Sequence, residues 1–193
     1  MVGERSKQNA LTLDFPGRTG VLISEIYISL PVSTHQEAIE KNVEIKKYKC
    51  IWDTGATNCV ITKKIVDGLP LKPIGVAEVH HAQGKTFANK YLVNIILPNK
   101  VVITDVTVTE GILGDLADVL VGMDIITLGD FAVTNENGQT TMSFRVRSFK
   151  RIDFVPESNQ HNFVLEKGTQ KMKKDILENE YPVSPYSPPV DIL

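Results

Sequence analysis

Apolar positions follow a strand pattern over most of residues 20–148. The stretch from residue 20 to 33 is rich in Ile, Leu and Val and reaches Pro31, which is typical of a strand and its end. Residues 43–51 alternate between polar and apolar positions, and both faces become apolar close to Asp53. This change predicts a strand that enters the core just before a short polar loop, Asp53-Thr54-Gly55.

Three turn signals predict hairpins. Residues 75–97 form two strand-like segments around a polar tip that contains Gly84. The sequence Leu-Pro-Asn-Lys at 97–100 closes a second hairpin, and Asn137-Gly138 separates two further strand-like runs. Asn-Gly is among the strongest short hairpin signals, so the turn of the third hairpin is predicted at these two residues.

Two short helices are expected beside these strands. Thr62 is placed to cap a helix over 63–69, which Gly68 and Pro70 would end. Asp124 is placed to cap a helical turn directly after an apolar strand that ends at Gly122. The sequence therefore predicts an all-β fold with one or two short helices.

Length favours one domain and a tail. A chain of 193 residues fills one core but is short for two independent domains. We expect an N-terminal lead over 1–19, a domain over 20–149, and a charged, Pro-rich and partly disordered tail over 150–193. The Pro-rich end is interpreted as a plain disordered tail, and the alternatives are a polyproline-type ligand, a linker or a self-cleavage region.

Composition excludes several functional classes. A net charge of −2 gives no electrostatic basis for nucleic-acid or anionic-membrane binding. No signal-peptide pattern opens the chain, and no apolar run approaches the roughly 18 residues of a membrane span. A cytoplasmic protein is therefore expected. Cys50 and Cys59 are predicted to be buried free thiols, with a disulfide between them as the alternative.

Neither a metal nor another cofactor is expected. His80 and His81 are adjacent, so on a strand they point to opposite faces and cannot share a metal ion. His35 and His161 are remote in sequence. The run Lys-Met-Lys-Lys at 171–174 is interpreted as a solvated charge cluster, with contact to nucleic acid as the alternative.

The loop at Asp53 is the candidate for chemistry. One solvated aspartate is a poor base, but two carboxylates about 3 Å apart share one proton and supply an acid and a base together. Such a pair needs a rigid loop, in which Gly55 permits the turn and the Thr54 hydroxyl bonds to a neighbouring loop. The alternative is a turn aspartate that bonds only its own backbone.

These segments carry a resemblance to a known family. Ile51-Trp52-Asp53-Thr54-Gly55-Ala56, the hairpin tip at 81–85 and Leu120-Val121-Gly122 resemble, in order and rough spacing, the retropepsin-like aspartic proteases, single-domain relatives of pepsin. Two departures are Met123-Asp124, where many viral members have an Arg, and Trp52, which is bulkier than the usual residue before the Asp.

The resemblance implies a closed β-barrel with a flap hairpin, active as a homodimer. Asp-Thr-Gly occurs once in the chain, so a second copy must supply the second Asp53. The implied activity is that of an aspartic endopeptidase acting on a peptide or protein. Asp53 is the implied catalytic residue, Thr54 and Gly55 support it, and Ala56, Gln83 and Gly84 are implied to bind substrate. The alternative is a catalytically silent module of this fold that binds or scaffolds.

Ala56 adds one hypothesis about pH. A Ser or Thr at this position would donate a hydrogen bond to the aspartate and favour its ionised form, whereas Ala donates none. We therefore expect an optimum nearer weakly acidic or neutral pH than that of pepsin.

Overall fold

The computed structural model describes residues 9–32, 34–81 and 84–167. The chain divides into two compact units, Met1–Phe149 and Lys150–Leu193. Gln83 and the Pro-rich end of the chain lie outside the described residues. Among those described, no helix has the length and apolar character needed to cross a membrane.

Strands dominate the first unit. In chain order they are β1 (Ala10–Asp14), β2 (Leu22–Ser29), β3 (Ile45–Trp52), β4 (Val60–Ile61), β5 (Gly75–His81), β6 (Gly84–Ile96), β7 (Val102–Glu110), β8 (Val119–Val121), β9 (Gly129–Thr134) and β10 (Thr141–Val146). Three short helices lie between them: α1 (His35–Glu40), α2 (Lys63–Gly68) and α3 (Met123–Ile126). The second unit contains α4 (Phe154–Lys167).

Six strands close into a ring. One sheet has the order β2-β3-β8-β4-β7-β6-β5, and β2 also pairs with β6. The ring closes because one edge of β6 pairs first with β5, along Gly84–Lys90, and then with β2, along Asn94–Ile96. The predicted all-β closed barrel with short helices and a long hairpin is confirmed. Its homodimeric state stays a prediction.

A buried cluster fills the barrel. Fully buried side chains come from strands all around the ring, and they include Ile26, Ile28, Cys50, Ile61, Val93, Ile95, Val108, Val119 and Val121. Asn94 is a buried polar residue at an irregularity between β6 and β7. Its amide group donates to Val32 O at 2.9 Å and accepts the Asp105 N–H at 3.0 Å, so the side chain satisfies backbone groups that the irregular pairing leaves open.

A second sheet, in the order β1-β10-β9, packs on this core. Its inner face buries Leu11, Met142 and Phe144. The opposite face is polar, and there Thr141 donates to Asp14 and Arg145 donates to Asp130. This alternation is what a sheet with one solvated face requires.

Three elements fall where the sequence predicted none, and the first is α1, which forms within a short polar stretch between β2 and β3. β1 lies inside the predicted N-terminal lead, and α4 lies inside the predicted tail. β1 is only five residues long and its partner β10 begins more than a hundred residues later, so local sequence carries little signal for the pairing. In α4 the described side chains, Phe154 to Phe163, are exposed except for a partly buried His161. The helix therefore lacks the apolar stripe that reveals a helix in a sequence.

Most predicted turns and helices are confirmed. All three predicted hairpins are present, and α2 ends at Gly68 as expected. Thr62 does occupy the N-cap of α2, but its side chain makes no capping hydrogen bond. Its hydroxyl oxygen is buried without a hydrogen-bond partner among the described residues, so the predicted side-chain cap is wrong.

Asp130 gives the second sheet a pH-dependent contribution to stability. Hydrogen bonds from the Ser148 hydroxyl, the Phe149 N–H and the Arg145 guanidinium lower the pKa of Asp130 from 3.8 to about 2. A carboxyl whose pKa is lower in the folded than in the unfolded state stabilises the fold fully at pH values above the unfolded-state pKa. That stabilisation is lost as the pH falls through the folded-state pKa. Asp130→Asn should therefore unfold more easily in urea at about pH 6, with a difference from wild type that shrinks between about pH 4 and pH 2.

Asp14→Asn is the matched control for this prediction. Asp14 lies on the same polar face and accepts a hydrogen bond from Thr141, which an asparagine oxygen can also accept. We expect its unfolding free energy to follow the wild-type dependence on pH. A constant offset between Asp130→Asn and wild type across this range would contradict the assignment.

Candidate functional site

Parallel pairing of β3 with β8 places the Asp53 loop. Trp52 lies opposite Val121, and the chain continues from this pair into Asp53. The Asp53 N–H donates to Val121 O at 3.0 Å, so the ladder extends one residue past the end of β3. The backbone of the half-buried Asp53 is therefore fixed at the point where the chain passes from the barrel into the loop.

Asp53 forms a turn with its own backbone. Its Oδ1 accepts the Gly55 N–H at 2.8 Å, and its carbonyl accepts the Ala56 N–H at 3.3 Å. A Cβ on residue 55 would lie 3.1 Å from Asp53 Oδ1, which is the local reason for glycine. Gly55 does not adopt a positive φ, so the predicted reason, backbone freedom, is not the one that the structure gives. Asp53 Oδ2 makes no hydrogen bond within the described part of the chain.

The chain after the turn is fastened to the start of α3. The Met123 N–H donates to Ala56 O at 2.8 Å, and the Asp124 N–H donates to Thr57 O at 3.1 Å. A Cβ at Gly122 would lie 2.7 Å from the carbonyl carbon and oxygen of Asn58 and 3.0 Å from Ala56 O. Only glycine permits this approach of two backbones.

Asp124 adds side-chain hydrogen bonds to this contact. Its Oδ2 accepts the Cys59 N–H at 2.9 Å, and its Oδ1 accepts the Cys59 thiol at 3.1 Å and the Ile125 N–H at 3.0 Å. The N-cap of α3 is Gly122, so Asp124 lies in the first turn and not at the predicted cap. Burial, together with the charge of Asp124, raises the pKa of the Cys59 thiol, which keeps it protonated as a donor.

Trp52 fixes the chain on the other side of Asp53. Its indole is 4% exposed and lies against two rings of the second sheet, with centroid distances of 5.9 Å to Phe131 and 5.1 Å to Phe144. Its Nε1–H donates to Ser24 Oγ at 2.9 Å, and Ser24 Oγ lies 3.0 Å from Cys50 Sγ. Both cysteines are free and buried, in agreement with the first of the two predictions.

Other predicted site residues are less constrained by the structure. Thr54 is exposed, and its hydroxyl makes no hydrogen bond within the described residues, so its bracing role stays a prediction. Ala56 is half-buried beside Asp53. Gly84 is the first residue of β6 and has a φ of 129°, a backbone conformation that residues other than glycine rarely adopt. Gln83 lies outside the described residues.

One groove of the first unit lies away from Asp53. It has a volume of about 560 Å³ and is lined by residues that include Leu30, Val43, Leu69 and Leu92, with none of residues 53–56. Val43 precedes the eight-residue β3 and Asp53 follows it, which separates the two by about 26 Å along the strand. Among the described residues, no group of three or more His, Cys, Asp or Glu side chains could hold a metal ion.

Comparison with known proteins agrees with this geometry. Residues 39–125 match the family model described as aspartyl protease, a segment that contains the Asp53 loop, the long hairpin and Gly122. This match confirms the resemblance predicted from the sequence. A search of curated proteins finds no significant match.

Solved structures of similar fold include two proteases. A retropepsin-like aspartic protease from Rickettsia conorii is 14% identical over 72% of this chain and 96% of its own, with a TM-score of 0.44. A foamy viral protease-reverse transcriptase, solved in complex with an RNA/DNA hybrid, is 14% identical over 78% of this chain and 16% of its own, with a TM-score of 0.35.

Ser24 and Cys59 are site residues that sequence reasoning missed. Both carry small side chains in apolar runs, Ser24 on β2 and Cys59 directly before β4, where nothing in the local pattern separates a packing residue from a hydrogen-bonding one. The role of Ser24 follows from strand register, since it lies opposite Cys50, and that of Cys59 from its hydrogen bond to Asp124 in α3.

Gly122→Ala tests the backbone contact behind the Asp53 loop. The added Cβ would meet backbone atoms of Asn58 that cannot rotate away, and we expect the free energy of unfolding to fall by about 1–3 kcal/mol. Gly20→Ala is the control, because a Cβ there has no atom within 4 Å. Urea unfolding of both variants measures the effect, and equal stabilities would mean that the close approach is not required.

Proposed function

We propose that this chain, whose residues 39–125 match the aspartyl protease family, is an aspartic endopeptidase in which Asp53 from each of two copies forms the catalytic dyad. The observation that carries the proposal is the Asp53 loop. One carboxylate oxygen is held by the Gly55 N–H, while the other makes no hydrogen bond within the described residues. A fixed carboxylate with one open oxygen is what a general base for water requires.

A second copy supplies what one chain lacks. The sequence holds one Asp-Thr-Gly, and a two-fold axis beside the loop would place two Asp53 carboxylates together. The exposed Thr54 hydroxyl is then available to bond the loop of the partner. This arrangement gives each open Asp53 oxygen its missing neighbour.

The dyad acts by sharing one proton. The ionised carboxylate takes a proton from the attacking water as its oxygen adds to the scissile carbonyl. The protonated carboxylic acid gives its proton to the carbonyl oxygen. As the C–N bond breaks, the leaving amine receives the proton that the other carboxylate took from water, and a hydroxyl of the tetrahedral intermediate returns a proton to the first carboxylate. No group beyond the two carboxylates and water is needed for this balance.

The substrate is a peptide segment in extended form. The long hairpin of β5 and β6 would close over it, with Gln83 and Gly84 at the tip and Ala56 on the loop side as contact residues. Backbone groups of an extended peptide pair with hairpin and loop as a strand pairs with a sheet edge. Nucleic acid is not expected as a partner, and a cytoplasmic location stays a prediction.

Asp53→Asn tests the activity directly. Asparagine keeps the size of the side chain and removes its acid-base function, so cleavage of a peptide library should fall about 10²-fold or more. Asp67→Asn is the control, because among the described residues Asp67 forms only an exposed pair with Lys63 at 3.1 Å. The activity of this variant should stay close to that of wild type. Mass spectrometry of the digests measures both. Undiminished cleavage by Asp53→Asn would exclude the dyad, and no cleavage by wild type would favour a binding module.

Mixing wild type with Asp53→Asn tests the shared site. Random exchange of subunits leaves about one quarter of the dimers with two Asp53 residues, so an equal mixture should retain about one quarter of the activity. A site complete within one chain would retain about half. The comparison is made at constant total protein concentration, so that dissociation does not contribute.

Ala56→Ser tests the pH hypothesis. A hydroxyl at this position would donate to the Asp53 carboxylate and favour its ionised form, which moves the acidic limb of the pH-rate profile to lower pH by about one unit. Ala56→Val, which adds bulk without a donor, controls for crowding of the loop. The profile of kcat/KM against pH measures the shift, and an equal shift in both variants would argue against the hydrogen bond.

A further inference from the structure

Trp52 is the residue directly before Asp53, and its side chain points away from the one that would do the chemistry. Successive side chains of a strand alternate between faces, so the indole of Trp52 enters the interior while the half-buried Asp53 leaves it. The two residues share a peptide unit. A rotation of the backbone about the strand axis would turn both side chains, so contacts that hold the indole also restrict rotation of the peptide unit that leads to Asp53.

Three contacts prevent that rotation. Phe131 stacks on the indole at an interplanar angle of 21°, and the ring of Phe144 packs against the indole at an interplanar angle of 56°. The third contact is the hydrogen bond from Nε1 to Ser24 Oγ. Stacking limits the tilt of the indole plane. Within that plane, only the hydrogen bond fixes the direction in which the N–H edge of the indole points.

Strand register explains why Ser24 can reach the indole. Ser24 lies opposite Cys50 on the antiparallel pair of β2 and β3, and Leu22 lies opposite Trp52. Ser24 is therefore the diagonal neighbour of Trp52, at a spacing that a long aromatic side chain spans. Ser24 Oγ also contacts Cys50 Sγ at 3.0 Å. Cys50 lies on β3, the strand that carries Trp52, and its contact helps to orient the Ser24 hydroxyl.

Packing alone does not account for these residue types. A leucine or phenylalanine at 52 would fill an apolar interior without needing a partner, and alanine at 24 would leave no polar group to satisfy. Ser24 is 6% exposed and Trp52 4% exposed, and a buried polar pair is retained at a desolvation cost that burial of apolar groups avoids. Such a pair specifies one geometry out of several that pack equally well.

We propose that Trp52, held by Ser24 and by the rings of Phe131 and Phe144, is a positioning residue that sets the orientation of the Asp53 loop and couples it to the second sheet. The proposal rests on the proposed function for its kinetic readout, but not for its structural one. Trp52 acts through the backbone of Asp53, and it does not touch the substrate. Its loss should therefore affect the rate of the chemical step more than the binding of the peptide.

Ser24→Ala and Ser29→Ala form a matched pair for the test. Both serines are buried on β2, at 6% and 3% exposure, and each makes a hydrogen bond. Ser29 lies five residues away, about 17 Å along the strand from Ser24, at the end remote from Asp53. Ser24→Ala should lower kcat about tenfold with little change in KM, whereas Ser29→Ala should leave both constants near wild type. Equal kinetic constants in the two variants would overturn the proposal.

Amide hydrogen exchange gives a readout that needs no activity. The Asp53 N–H is bonded to Val121 O and the Gly55 N–H to Asp53 Oδ1, so both report on the loop. In Ser24→Ala these two amides should exchange about tenfold faster than in Ser29→Ala when the two variants have similar global stability. Unchanged exchange would overturn the proposal even if no peptide is cleaved. Cleavage by wild type with unchanged exchange would leave the proposed function standing without it.

Trp52→Phe completes a double-mutant cycle. Phenylalanine keeps an aromatic ring against Phe131 and Phe144 and removes the N–H donor. If the hydrogen bond is the positioning element, the effects of Ser24→Ala and Trp52→Phe on kcat and on exchange at Asp53 should not add, and the double variant should resemble either single one. Fully additive effects would show that the two residues act independently and would contradict the coupling.

Discussion

The approach of the Gly122 backbone to residues 56–58 is the constraint on which the site depends. β8 must lie parallel to β3 for Val121 O to accept the Asp53 N–H, and the next residue must then cross behind the loop. A Cβ at Gly122 would stand 2.7 Å from backbone atoms of Asn58, so the crossing exists only with glycine. β8 in turn is held by β3 and by β4 within the closed ring. The position of Asp53 is thus a consequence of barrel closure and not of the loop sequence alone.

Both cysteines belong to hydrogen-bond networks on the two sides of Asp53. Cys59 donates to Asp124 on the side of α3, and Cys50 contacts Ser24, which accepts from Trp52, on the side of the second sheet. Burial raises the pKa of Cys50 to about 11 and also raises that of Cys59. Neutral thiols are small enough for the core and polar enough to bond weakly there. Their burial and protonation explain the cysteines as structural groups, without a reactive role.

The features of the site that local sequence marks could be predicted. Those that depend on the pairing of strands far apart in the chain could not. The loop, Gly122 and the three hairpins were predictable because each is marked by a glycine, an Asn-Gly pair or a change in apolar period within a few residues. The pairing of Asn94–Ile96 with β2, which closes the ring, and that of β1 with β10 depend on partners far along the chain. The Thr62 cap failed for a related reason. Its hydroxyl oxygen is buried by tertiary packing, which a capping rule based on local sequence does not include.

The barrel also separates the part that must be rigid from the part that must open in the proposed peptidase. The Asp53 loop directly follows β3, a strand of the ring, and its backbone and the residues just after it bond to β8 and α3. β5 lies outside the ring and, among the described strands, pairs with β6 alone. Lifting the hairpin of β5 and the first half of β6 would therefore break no ladder that holds Asp53, because the ring uses the second half of β6, from Asn94 to Ile96, to reach β2. In the proposed peptidase, a substrate would enter beneath the hairpin at the cost of local contacts only, while Asp53 keeps its orientation.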